Sequence, residues 1–181
     1  MRDPGSRGAR LYHPPVTLED VTIRRATADD ARALAASRHQ FRTTFDSPRP
    51  APQDAAFETE AAFVERAAPL IDGFLRAGRW HAWIAECGGR ICGHLFLQMI
   101  DKMPNPDPRE PEHLAYLTSF FVEPDLRDRG VGAALMQQLE AFAQRSDVEK
   151  ILIVGTTPRS RSLYARRGYQ SAPDLLQKIV M

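Results

Sequence analysis

The sequence is poor in cysteine: Cys87 and Cys92 are the only two in 181 residues, too few for a disulfide framework. They flank "GGR", and a two-residue Gly88-Gly89 hairpin turn would set Cys87 opposite Arg90 and Cys92 opposite Ala85. The sulfurs would then be diagonal neighbours, too far apart to bridge easily, which fits a reducing cytoplasm. No apolar run approaches the ~18 residues of a membrane-spanning helix. The opening "MRDPGSRGARLYHPP" is basic with no apolar segment behind it, so it does not read as a secretory signal. Residues 1–18 read as a flexible arm.

Charge of one sign is lacking too. The 24 Lys+Arg and 23 Asp+Glu leave a net +1, so no general polyanion-binding field is implied and nucleic acid is not expected as a partner. The five histidines, at 13, 39, 81, 94 and 113, show no metal-ligand spacing and read as structural or surface residues. No Gly-x-Ser-x-Gly elbow is present. Asp101, Asp107, Glu110 and Glu112 read as a solvated loop.

What is present is an ordinary globular composition, 43% hydrophobic and 26% charged, enough for one core and one domain over residues 19–181. "VTIRRAT" (21–27) alternates as a strand. Thr27 with Asp30 resembles a capping box, opening a helix with Ala31, Leu34, Ala35 and Arg38 at helical spacing. A Pro-rich connection (42–56) leads to a helix with Phe57, Ala61, Val64, Ala68, Ile71 and Leu75 on one face. Pro69 is expected to kink or restart that helix and Gly78 to end it. "WHAWIAECGGRICGHLFLQMI" (80–100) reads as a central β-hairpin. "LAYLTSFFV" (114–122) is apolar on both faces and so lies inside the sheet. After it come a helix with Val131, Leu135, Leu139 and Phe142 buried, a strand (149–157), a short helix (160–168) and a closing strand (175–181). The order implies a mixed α/β fold on a largely antiparallel sheet, with parallel pairing where a helix joins two central strands.

The stretch "VEPDLRDRGVGAALMQQLEAF" (122–142) places Gly130 and Gly132 at a helix entrance, although glycine costs about 1 kcal/mol relative to alanine in a helix interior. A dinucleotide fingerprint would need Gly or Ala where Leu135 stands, and an acidic residue near "IVGTT". A nucleotide P-loop needs Gly-Lys-Ser/Thr, which is absent. A phosphate cradle remains, with backbone N–H groups converging at a helix N-terminus and Arg127 and Arg129 adding charge. A plain strand-to-helix turn with solvated arginines is the alternative, and the local sequence leaves both open.

Arg127-Asp128-Arg129-Gly130-Val131-Gly132 resembles the Arg/Gln-x-x-Gly-x-Gly/Ala motif of the GNAT acetyltransferase superfamily. "ILIVGTTPRSRSLYARRGY" is similar to that family's next strand and helix, and the resemblance spans roughly residues 20–181. It implies a GNAT-like fold, a mostly antiparallel sheet flanked by helices and splayed between its fourth and fifth strands. It implies that acetyl-CoA enters that gap, its pantetheine pairing with strand-edge amides at Phe120, Phe121 and Val122. The pyrophosphate would lie on the amides of Arg127, Asp128, Arg129, Gly130, Val131, Gly132 and Ala133.

The implied activity is acetyl transfer to a primary amine on a small molecule or a protein, without metal. Tyr164 matches the family tyrosine near the coenzyme sulfur, which makes it the candidate general acid; otherwise it is a core tyrosine with a satisfied hydroxyl. The implied acceptor site lies between the first helices and the C-terminal strands, with residues 42–56 at its entrance. The implied partners are acetyl-CoA and the amine, with no nucleic acid and no membrane, and with a homodimer left open.

Two positions depart from the family. Tyr116 stands where many relatives carry a glutamate base, leaving the proton to water or to a residue such as Glu112 or His113. Thr157 stands where many carry an asparagine touching the pantetheine. Loss of the base keeps a second reading alive, a catalytically silent acyl-CoA-binding module.

Overall fold

A computed structural model describes residues 17–44, 57–154, 156–172, 175 and 178. The arm up to residue 16, residues 45–56 of the Pro-rich connection and most of the expected closing strand lie outside the described residues.

The chain enters through a 3-10 turn into β1 (Val21–Arg25), and the Thr27/Asp30 capping box forms as expected. It closes a 3-10 turn over Ala28–Asp30 that runs into α1 (Ala31–Thr44). Asp30 also receives the Arg24 guanidinium at 2.7 Å, tying β1 to the helix start. Helix α2 (Glu60–Arg76) buries Val64, Ala67, Ala68 and Ile71. Phe57 and Ala61, expected on that face, are exposed: Phe57 precedes the Thr59 N-cap, and Ala61 lies in the first turn, before the buried stripe begins at Val64. Pro69 lies within the continuous helix and does not restart it. Past the Ala77 C-cap, Gly78 takes a φ of +73°, the left-handed exit that glycine permits.

Strands β2 (Trp80–Cys87), β3 (Arg90–Asp101), β4 (His113–Val122) and β5 (Val148–Ile153) complete a sheet in the order β1-β2-β3-β4-β5. The first three pairings are antiparallel. β4 and β5 are parallel, because the crossover through α3 (Val131–Arg145) returns the chain in the same direction. Helix α4 (Pro158–Arg166) follows β5. The sheet separates two apolar clusters: Leu95, Leu97, Leu117, Leu135 and Leu139 with α3 and α4 on one face, and Leu34, Ile71, Ile84 and Phe96 with α1 and α2 on the other. Each fully buried leucine contributes roughly 1.5–3 kcal/mol.

The hairpin register corrects one expectation. Gly88 and Gly89 both take positive φ and pair Cys87 with Arg90, as read from the sequence. Beyond that pair Glu86 faces Ile91 and Ala85 faces Gly93, so Cys92 is the extra residue of a bulge and does not face Ala85. Both cysteines are free.

Candidate functional site

β4 leaves the sheet ladder before it ends. Its last partner on β5 is the pair Leu117–Ile153, whereas pairing with β3 continues to Val122. Residues 118–122 therefore border a gap on the β5 side. Within this stretch Ser119 has φ +51°, and Ser119 and Phe120 together oppose Leu95 alone. This bulge reverses the alternation of side chains. Before it Ala115 and Leu117 pack toward α3; beyond it Phe120 and Val122 do so, while Phe121 turns to the α1 side.

The N–H and C=O groups of a strand alternate between its two edges. The Glu123 N–H bonds the Cys92 carbonyl on β3, so the N–H and C=O of Val122 lie on the gap edge. That carbonyl accepts from Arg127 Nε at 2.9 Å, and the Arg127 guanidinium stacks 6.0 Å from the Phe121 ring. Arg127 is thus folded back onto the strand end.

A bulge in a left-handed conformation needs support. Ser119 Oγ lies 3.0 Å from His94 Nε2, and His94 Nδ1 lies 2.7 Å from Ser37 Oγ on α1. The imidazole is fully buried and packs against Phe41, Phe96 and Phe121. Desolvation, with the nearby Arg38 charge second, pushes its pKa down to about 3. A neutral ring has one donor and one acceptor nitrogen, which suits two hydroxyl partners that can each do either. Histidine spacing showed nothing here; the available signal was a polar ring inside the apolar run "CGHLF".

After β4 a 3-10 turn (Pro124–Leu126) leads to Asp128 at φ +61° and Gly130 at φ +88°, the N-cap of α3. The first turn of α3 carries no acidic residue, leaving its orphan N–H groups and the helix dipole open to an anion. Asp128 is ion-paired to Arg159, and Arg129 is exposed on the same turn. A Cβ on Gly132 would sit 3.2 Å from Phe120 Cζ and 3.5 Å from Leu163 Cδ2. Gly132 therefore lets the end of β4 and α4 pack against the start of α3, beyond any role toward a ligand.

Tyr164 on α4 is buried beside the rings of Phe120 and Tyr169, with centroids 6.2 and 5.7 Å away. Burial pushes its hydroxyl up to about 12, so it keeps its proton at neutral pH. Thr157 is the N-cap of α4: its hydroxyl accepts from the Ser160 N–H at 3.2 Å and donates to Ser160 Oγ at 3.1 Å. That engagement explains a threonine here without a ligand. Glu112 and His113 stand at the opposite end of β4 from the bulge, roughly 20 Å along the strand at ~3.3 Å per residue. Neither reaches the gap.

Between α1, α2 and β4 lies a cavity of about 160 Å³, with Arg38, Thr118 and Ser119 on its polar side and Phe74, Trp80 and Phe96 among its apolar walls. Thr118 and Ser119 belong to the stretch of β4 that borders the gap. No carboxylate lines the cavity among the described residues.

The sequence profile described as "Acetyltransferase (GNAT) family" matches residues 38–169. The chain belongs to the GNAT acetyltransferase family. Solved GNAT structures share the fold. One is the GCN5-related N-acetyltransferase of Ralstonia eutropha JMP134, at 23% identity and TM-score 0.63, covering 88% of this chain and 98% of that one. Another is a predicted acetyltransferase with acetyl-CoA from Clostridium acetobutylicum, at 21% identity and TM-score 0.68, covering 88% and 96%. A third is the ribosomal-protein-alanine N-acetyltransferase of Brucella melitensis biovar Abortus 2308, at 18% identity and TM-score 0.61, covering 89% and 98%. No curated protein matches the chain. Among the described residues, no helix of this GNAT enzyme is long and apolar enough to cross a membrane.

Proposed function

We propose that this GNAT protein transfers the acetyl group of acetyl-CoA to a primary amine, acting as one domain over residues 19–181. The observation that carries the reading is the opening of the β4–β5 ladder beyond Leu117, with β4 leading on to a helix start that has no side-chain cap and no acidic residue in its first turn. The pantetheine arm lies along the gap edge of Phe120–Val122, and the pyrophosphate lies at the helix start from Arg127 to Ala133, on the amides beyond Arg127, whose own N–H donates to the Pro124 carbonyl. The Val122 N–H, on the gap edge, is the donor for the thioester oxyanion, whereas Phe121 turns its N–H toward β3.

In the transfer the thioester C–S bond is exchanged for an amide C–N bond, the amine loses one proton and the coenzyme thiolate gains one. Tyr164 is the general acid for the sulfur, a reading supported by its contact with Phe120 on the gap edge. Among the described residues no carboxylate lines the cavity, and water takes the amine proton. Two free cysteines fit a cytoplasmic setting.

Gly132→Glu tests the cradle, because the new side chain brings bulk and negative charge to the helix start. Acetyl-CoA binding by calorimetry should be abolished in a folded Gly132→Glu protein, and undiminished affinity would refute the site. The catalytically silent module is favoured by the lack of a carboxylate in the cavity lining among the described residues, and release of free coenzyme thiol over an amine panel separates it from the enzyme.

A further inference from the structure

Arg38 is half-buried in the wall of the α1–α2–β4 cavity, and among the described residues it has no carboxylate partner and no hydrogen-bond acceptor. Burial is the larger influence on its charge and the Arg42 cation one turn along α1 the second, and both disfavour it; among the described residues Tyr116 acts the other way. A guanidinium held in this state gains most from a planar anion, which it can bind through two parallel N–H donors.

Much of the remaining lining is apolar: the Phe74 and Trp80 rings stack at 5.7 Å and 22°, with Ile71, Leu75 and Phe96 beside them in the lining. At about 160 Å³ the cavity is smaller than the ~300 Å³ at which pockets for drug-sized ligands begin. It therefore suits a compact molecule. Two adjacent cations on α1 also oppose a polycationic sugar, and a protein N-terminus has no carboxylate beside its amine.

We propose that the cavity binds a small primary amine that also carries a carboxylate, of the free amino acid class. The carboxylate sits on Arg38, the side chain lies against Phe74, Trp80 and Phe96, and the amine lies at Thr118–Ser119, where β4 borders the gap. This rests on the acetyltransferase reading for its consequence, because the amine then faces the thioester; the binding itself does not depend on turnover.

The test uses two pairs that differ only in the carboxylate: L-phenylalanine with phenethylamine, and L-leucine with 3-methylbutylamine. Binding to the coenzyme A-loaded protein is measured by calorimetry, and acetylation by thiol release. In at least one pair the amino acid should bind roughly 10–100-fold more tightly than its amine, as expected for a charge-assisted pair. Arg38→Gln should bring the two within about twofold. Arg38→Lys, which keeps the charge but loses the planar fork, should retain part of the preference and guards against a folding artefact. Equal binding within both pairs, no binding of any of the four, or an undiminished preference in folded Arg38→Gln overturns the proposal. Arg38-dependent amino acid binding without acetylation upholds the cavity and removes the transferase reading. Preferential acetylation of the decarboxylated amines upholds the transferase and overturns the carboxylate.

Discussion

His94 makes the support of the β4 bulge measurable as a pH dependence. Its folded pKa of about 3 lies below the ordinary 6.5, so as pH falls the unfolded chain binds the proton first. The stability contributed by the neutral ring is complete above the unfolded pKa and is lost as pH falls toward the folded one. The loss is about 1.4 kcal/mol per pH unit below ~6.5, hence about 2 kcal/mol at about pH 5. That figure depends only on the folded pKa lying well under 5.

His81, pushed down to about 4 by burial and then by Arg25, adds a loss of the same sign. Salt-bridged carboxylates such as Asp30, held low by Arg24, add theirs at lower pH. The comparison that isolates His94 is therefore wild type against His94→Gln, whose amide can still span Ser37 and Ser119. Urea melts at about pH 7.5 and about pH 5 should show wild type losing about 2 kcal/mol more than the variant over that interval. The corresponding difference in Tm shift is ~4–8 °C for a domain of this size. Equal losses in the two proteins would refute the assignment of a buried, neutral, hydroxyl-bonded imidazole beneath the bulge.

Tyr164→Phe keeps the ring and removes the hydroxyl. With the hydroxyl at about 12, full proton transfer to a thiolate is uphill, so donation to the sulfur carries the benefit and kcat should fall toward the low end of the ~10²–10⁴ range for general acids. A kcat within about twofold of wild type, with chemistry rate-limiting, would return Tyr164 to a packing role. Gly130→Ala forces an L-residue to φ +88° with its Cβ 3.2 Å from Leu18 Cδ2; the Leu18 side chain can swing aside, but the backbone strain of about 1–2 kcal/mol stays. The expected Tm drop is ~2–8 °C, and an unchanged melt would show that the α3 start adopts another conformation.

Local physics made most of the elements legible. The Thr27/Asp30 box, the Ala31-Leu34-Ala35 stripe, the Gly-Gly turn and Gly130 before α3 all act within a few residues, where periodicity, side-chain caps and positive φ leave their mark on composition. The resemblance carried by residues 127–132 and 151–169 likewise identified the family. Thr157 could have been read locally as a helix cap, since Pro158 and Ser160 follow it.

The bulge at Ser119 was out of reach, because "LTSFFV" reads as an unbroken strand and nothing in it announces the change of alternation. The Ser37–His94–Ser119 chain joins residues 57 and 25 positions apart, each unremarkable among its own neighbours. Arg38 reads from its spacing as one more position on the helical stripe; only the packing of α1 and α2 over β4 half-buries it with no carboxylate partner among the described residues. Gly132 reads from the sequence as a ligand contact alone; its packing against Phe120 and Leu163 shows only in the fold. These features depend on which surfaces meet in space, and the contacts that make them form only when the sheet and its helices assemble.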